Sequence, residues 1–314
     1  GFFVQDEWNV TPKLTVVPGI RVDSHSSGEE YATSVKVSDS AFPTTKFSKT
    51  TVNPRIAIKY EVTPSLVLRA NIGTGFRAPY GFSEDLHLCS GSPRVWKSSN
   101  LKGERAISYN LSADYYAKKY QFSINIFRTN LKDKIQFSPA DDEVKKFGYS
   151  YQWENVDDAY VQGVELGAKA NLFRNFNAGV NWTFNQGKFK HERADWSDSN
   201  DETVKEFPQR LQYAKDSRNI SRFPAMTGDI DLDYTPGTWS FSLTSSLQGR
   251  MYIDYNSEDD GATSKIKKTN TFMLFNCRAA KRFGMCTVYA GAKNIFSYIQ
   301  DEKHTDDAAF MYAP

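Results

Sequence analysis

The sequence predicts an all-β fold: an antiparallel, up-and-down transmembrane β-barrel contributing about 12 strands. Three observations predict it. Apolar and polar residues alternate with a period of two nearly everywhere, which gives each strand two distinct faces. Short and long connections alternate without a break, so the short turns gather at one end of the strands and the long loops at the other. Aromatic residues make up 14% of the chain, and Asn, Ser and Thr are abundant, a composition that suits strands better than helices.

Taken in order, strands are expected over 1–10 and 14–24 about the turn "TPK", then 50–61 and 66–77 about "VTPS". In 66–77, Leu66, Leu68, Ala70, Ile72 and Phe76 share one face, and Val67, Arg69, Asn71, Gly73, Gly75 and Arg77 the other. Strands 103–116 and 120–137 follow about "AKK". In the first of these Ile107, Tyr109, Leu111, Ala113 and Tyr115 alternate with Ser108, Asn110, Ser112 and Asp114. Strands 149–171 and 175–188 flank "FRN", and Phe176, Ala178, Val180, Trp182 and Phe184 oppose Asn177, Gly179, Asn181 and Thr183. Strands 223–234 and 239–252 flank "TPGT", with Asp229, Asp231 and Asp233 on one face and Ile230, Leu232 and Tyr234 on the other. Strands 269–282 and 284–297 close the series about "FG". The long loops fall at roughly 25–49, 78–102, 138–148, 189–222 and 253–268.

Strand 149–171 would run about 75 Å, whereas roughly 9–11 residues cross a bilayer, so it should stand above the membrane. Its aromatic phase shifts from odd positions (Tyr149, Tyr151, Trp153) to even ones (Tyr160, Val164, Leu166), which predicts a β-bulge within Val156–Ala159.

A soluble sandwich has no reason to sort its loops by length, and the second face is too polar and small-residued to meet another sheet. An apolar outside and a wet or plugged interior fit both faces, and closure removes the edges that lipid would not tolerate. No window holds 18 consecutive apolar residues, so no transmembrane helix is expected. The formal net charge of +2 implies no nucleic-acid partner. Cys89, Cys277 and Cys286 have no metal-ligand spacing. With a tight turn at Phe283–Gly284, Cys277 should lie opposite a residue near 290 and not opposite Cys286.

Four blocks carry a family resemblance. "LVLRANIGTGFRAP" (66–79) resembles the strand of TonB-dependent outer-membrane receptors that ends in Gly-x-Phe-Arg-Ala-Pro, here Gly75, Phe76, Arg77, Ala78 and Pro79. "FFVQDEWNVTPKLTVVPGIRVD" (2–23) is similar to their "QDEW…LT…G-x-R-x-D" hairpin. "WENVDDAYVQGVELGAKANL" (153–172) resembles their "N-v…G-v-E-l" strand through Asn155, Gly163 and Glu165. "AGAKNIFSY" (290–298) resembles their penultimate "v-x-N-l-f" strand through Asn294. An "E-D-L-H" continuation at 84–87 is similar to the Bacteroides branch.

The resemblance implies an N-terminal plug inside a barrel of roughly 22 strands. Residues 1–314 would then be the C-terminal part, lacking the plug, the TonB-binding segment and the final strand. It also implies location in the outer membrane of a Gram-negative bacterium and energy from the TonB–ExbB–ExbD complex acting through the missing N-terminal part. The implied ligand is a scarce large solute: a ferric siderophore or other iron complex, with haem and cobalamin also open. Outer-membrane lipid and lipopolysaccharide are further partners, and a surface lipoprotein is an open one. No catalytic residue, resident metal or cofactor is implied.

Pro79 lacks an N–H and should end the ladder. Arg77, on the inward face, either lines the lumen or contacts the plug or an anionic substrate. Substrate contact from the following loop would come from Tyr80, His87, Arg94 and Trp96. Glu84, Asp85, His87 and Cys89 are ligand types, yet four ligands within six residues of one extended piece wrap a single ion poorly. The acidic stretch 254–265 lacks the glycine and closing Glu of a calcium loop. Asp229, Asp231 and Asp233 read as lumen wall. The competing class is a passive porin or adhesin barrel. A further one is an outer-membrane enzyme, for which no Ser/His/Asp set is apparent.

Overall fold

The computed structural model describes residues 1–30, 44–80, 95–139, 141–149, 151–191, 218–220, 222–255 and 265–299. Sixteen strands occur among them: β1 (Phe2–Gln5), β2 (Trp8–Thr11), β3 (Leu14–Glu29), β4 (Thr45–Thr63), β5 (Leu66–Arg77), β6 (Val95–Lys97), β7 (Glu104–Tyr116), β8 (Tyr120–Pro139), β9 (Tyr151–Phe173), β10 (Phe176–Phe189), β11 (Met226–Tyr234), β12 (Trp239–Gln248), β13 (Tyr252–Tyr255), β14 (Lys265–Lys268), β15 (Phe272–Phe283) and β16 (Cys286–Ala292). One 14-stranded sheet runs β1-β3-β4-β5-β7-β8-β9-β10-β11-β12-β15-β16, with β2 paired to β3 and β6 paired to β9. Twelve strands thus form one consecutive meander, as the loop alternation predicts. Among the described residues the one helix, α1 (Asp142–Lys145), is a single turn capped by Asp141, whose carboxylate accepts from the Val144 N–H. No described helix is long and apolar enough to cross a membrane, which says nothing of crossing by strands.

Four sequence expectations are corrected. The first strand is interrupted at Asp6–Glu7, where the Asp6 side chain takes the Glu7 N–H instead of the ladder doing so. The short parallel strand β6, seated on β9, and the two-stranded sheet β13-β14 both lie where continuous loop was expected. The strand expected to start at 223 starts at Met226. The last strand ends at Ala292, short of 297, because Asn294 adopts φ 47 and closes a turn on itself. Its Oδ1 accepts from the Tyr298 N–H and its Nδ2 donates to the Tyr298 carbonyl, both at 2.9 Å.

The short turns are made in two ways. At Thr11 and again at Thr63 the hydroxyl accepts the N–H groups two and three residues on, and the intervening Pro12 and Pro64 preset the bend. The turns at Asn175 (φ 66), Gly237 (φ 62) and Gly284 (φ 59) use left-handed residues. The tight turn at Gly284 sets Cys277 opposite Ala292, and Cys277 and Cys286 are both free and exposed.

The chain divides into two compact units, residues 1–58, 71–109 and 129–160, and residues 59–70, 110–128 and 161–314. In the second, the strand registers align the faces strand by strand. Asn177, Gly179 and Asn181 oppose Asp233, Asp231 and Asp229, which oppose Ser242, Thr244 and Ser246. On the other face Phe176, Ala178 and Val180 oppose Tyr234, Leu232 and Ile230. Among the described residues the apolar face has no second layer: Phe122, Ile126, Leu111 and Val288 are each half exposed or more. In the first unit, by contrast, Tyr80, Leu101, Ile135 and Trp153 form a buried cluster with Phe47 against it.

Candidate functional site

The Gly75-Phe76-Arg77-Ala78-Pro79 block closes β5. Gly75 has room for no more than an ordinary contact, with the Ala106 Cβ 3.8 Å from where its own Cβ would stand. The Phe76 ring packs 4.9 Å from His25 and 5.9 Å from Phe47, and Gly103 lies beneath it so closely that a Cβ there would stand 2.3 Å from the ring. Arg77 is exposed, Ala78 is half-buried and Pro79 is fully buried, where its missing N–H leaves nothing unsatisfied.

Tyr80 is only 5% exposed, and its hydroxyl donates to the Ser98 carbonyl at 2.7 Å. The strand end is thereby tied to the chain just after β6, where Trp96 is half-buried and pairs with Gln152. Arg77, Tyr80 and Trp96 therefore belong to one end of the first unit, but Tyr80 spends its ring on packing. His87 and Arg94, like Glu84, Asp85 and Cys89, lie outside the described residues. The 256–264 portion of the acidic loop does too.

Asn155 stitches this end together. Its Nδ2 donates to the carbonyls of Asp133 (2.8 Å) and Lys102 (3.0 Å), and its Oδ1 accepts the Lys102 N–H at 2.8 Å. Asp133 itself is left-handed (φ 53) within β8, and its N–H goes to the Asp158 carboxylate. A left-handed residue inside a strand breaks the ladder locally. The sequence places an irregularity at 156–159, and the left-handed residue here is on the facing strand. Sequence reasoning missed this Asp133–Asn155–Lys102 network; the Asn155 motif position was its one available signal.

The second unit supplies the two walls. On its polar face Glu165 accepts from the Asn125 amide (2.9 Å), Asn181 donates to Asp229 (2.8 Å), and Lys169 lies beside Gly179 and Asp231. Gly163 sits where a Cβ would stand 2.2 Å from the Phe184 carbonyl oxygen and 2.7 Å from the Phe127 ring, so the motif glycine is a close-approach position. Arg69 is paired with Asp114 on this face. Among the described residues no group of three or more His, Cys, Asp or Glu could hold a metal ion.

The apolar face reads as a membrane band. Nine residues, Phe176 to Phe184, carry it on β10, enough to cross at a strand tilt near 45°. At the short-turn end it is rimmed by aromatics: Phe173 stacks on Phe176 at 4.7 Å, both lie 6.3 Å from Tyr234, and Trp239 stacks on Phe241 at 5.7 Å. At the opposite end the face turns polar in one row, where Arg128 donates to Gln162 (2.7 Å) and Gln162 to Gln186 (2.9 Å). Aromatic girdles bordering an apolar band are the signature of barrels in lipid.

Comparison with known proteins agrees. Residues 1–295 match the family "TonB dependent receptor-like, beta-barrel". The chain is 26% identical over 229 residues to the vitamin B12 transporter BtuB of Photobacterium profundum, covering 72% of this chain and 30% of that protein. It is 25% identical over 182 residues to the ferric enterobactin receptor of Pseudomonas aeruginosa, covering 52% of this chain and 22% of that one. Among solved structures, the copper transporter OprC superposes with a TM-score of 0.68 at 18% identity over 95% of this chain and 43% of that one. The ferric citrate transporter FecA gives 0.66 at 18% identity over 95% and 40%. The chain thus spans less than a third of these curated relatives and under half of these solved structures. With two-faced strands, girdled apolar band and family match in agreement, the chain belongs to the TonB-dependent receptor β-barrel family of the Gram-negative outer membrane.

Proposed function

We propose that this chain is the C-terminal portion of a receptor that takes up a scarce large solute through the outer membrane, driven by TonB–ExbB–ExbD acting on its plug. The observation that carries the reading is the wall itself: an exposed apolar band on one face and, residue for residue behind it, a continuous polar face of Asn, Asp, Ser and Thr. Such a wall suits a lumen that holds a plug and passes a hydrophilic cargo. The favoured cargo is an iron chelate of the ferric-siderophore class, with cobalamin and haem as the alternatives. The names of the relatives support that range, one carrying vitamin B12 and another ferric enterobactin. The family is one of transport receptors, not enzymes, which supports this reading over a catalytic one.

The test is growth of a strain lacking the full-length gene on single sources of ferric siderophore, haem or cobalamin, with and without TonB. Loss of growth on one source, restored by the gene only when TonB is present, is the expected result. Uptake of all three unchanged by the deletion, or restored equally without TonB, would favour a passive barrel.

A further inference from the structure

We infer that the apolar face carries a binding site for one glycerophospholipid of the periplasmic leaflet. The site begins with a step in side-chain size. Across β11, β12, β15 and β16 the registers align Leu232, Leu243, Cys277 and Ala292 in one row. The next row toward the short turns aligns Tyr234, Phe241, Ala279 and Ala290. Bulky residues on β11 and β12 thus stand beside small ones on β15 and β16. The result is a trough of about 620 Å³ whose lining is almost wholly apolar.

A cation closes the trough at its short-turn end. Lys281 is two residues beyond Ala279 on the same face and opposite Trp239. Its ammonium lies 4.6 Å from the Trp239 ring centroid and 4.9 Å from that of Phe283, and Trp239 stacks on the trough wall Phe241. Among the described residues Lys281 has no carboxylate partner. Aromatic rings hold the ammonium at the level of the girdle, where headgroups lie, and leave its N–H donors free. An apolar trough ending in a fixed, unpaired cation at that depth is complementary to an acyl chain ending in a phosphate. The girdle end is the short-turn end, which in barrels of this kind faces the periplasm, so the occupant is a glycerophospholipid and not lipid A of the opposite leaflet.

This inference rests on the membrane location alone, not on the cargo or on TonB. The test is native mass spectrometry of the full-length receptor in detergent, with added phosphatidylglycerol, phosphatidylethanolamine or lipid A. Wild type should retain one phosphatidylglycerol. Ala290→Phe, which fills the trough, should abolish retention, and Lys281→Gln should lower it about fivefold, with a smaller loss for phosphatidylethanolamine. Ile124→Phe, on β8 and outside the trough, should retain lipid as wild type does. Gel mobility before and after heating reports folding, and should Ala290→Phe fail to fold, Lys281→Gln decides. Equal retention by wild type and Lys281→Gln, an equal loss in Ile124→Phe, or preferred retention of lipid A would overturn the site.

Discussion

Both units expose an apolar face, with Ile56 and Ile72 in the first and Leu111 and Phe122 in the second, and the first also packs a buried cluster. In the second, the β10–β12 wall is one residue thick: Phe176, Tyr234 and Phe241 line up across strands and meet no second layer. In the first, Tyr80, Leu101, Ile135 and Trp153 leave water by packing on one another. The wall depends on its solvent being hydrocarbon, whereas the cluster carries its own interior. The difference teaches that the same period-two alternation can be stabilised by lipid or by self-packing. Their responses to substitution should therefore diverge.

The largest expected effect breaks the wall by one step along a single strand. Leu243 lies between Leu232 and Cys277 on the apolar face, and Thr244, its neighbour in sequence, lies between Asp231 and Asn276 on the polar one. Leu243→Arg should cost about 1–3 kcal/mol of folding stability in lipid, between the values for a cation at the interface and at the midplane of a barrel's outer face. Thr244→Arg should change it little, since it adds a cation beside Asp231. Urea unfolding of the full-length protein in vesicles measures both. Equal costs at the two positions would mean that neither face is lipid-facing.

How much of this was legible follows from the same contrast. The wall was legible because alternation, turn chemistry and loop length are local properties: the faces of 176–184 and 229–234 are those read from sequence, and Thr-Pro turns recur at 11–12 and 63–64. The cluster was not, because it joins residues 80, 101, 135 and 153, and period two carries no information about which strand ends meet. Tyr80 shows the cost. Its aromatic ring after Pro79 reads as substrate contact, and period two gives no sign of its burial or of its bond to the Ser98 carbonyl. The hairpin β13-β14 and the parallel strand β6 escaped for a related reason, since four-residue and three-residue pairings are too short for periodicity to register.

A smaller effect is expected where the first unit is stitched by polar contacts. Asn155→Ala removes one acceptor and two donors that satisfy backbone groups of Lys102 and Asp133. The loss should be about 1–2 kcal/mol, because the partly buried Asp133 carbonyl loses its partner while the exposed Lys102 groups find water. It should appear as faster amide exchange at Lys102 and Asp133, with the β10–β12 wall unchanged. Asn155→Asp keeps the acceptor but sets a carboxylate oxygen against the Lys102 and Asp133 carbonyls, so it should cost at least as much. If exchange accelerated equally in β11, the two units would be one cooperative body.

The smallest effect bears on what Tyr80 is for. Tyr80→Phe keeps the ring in its cluster and deletes only the hydroxyl that donates to Ser98. If packing is its role, the change should cost about 1 kcal/mol, the net worth of one such hydrogen bond. Solute affinity of the full-length receptor should then stay as it was. If Tyr80 instead touches the solute, affinity should fall while the melting temperature stays put. Titration calorimetry with the solute identified by the growth assay, alongside a thermal melt, separates the two. With the ring 5% exposed, the melt is the readout expected to move.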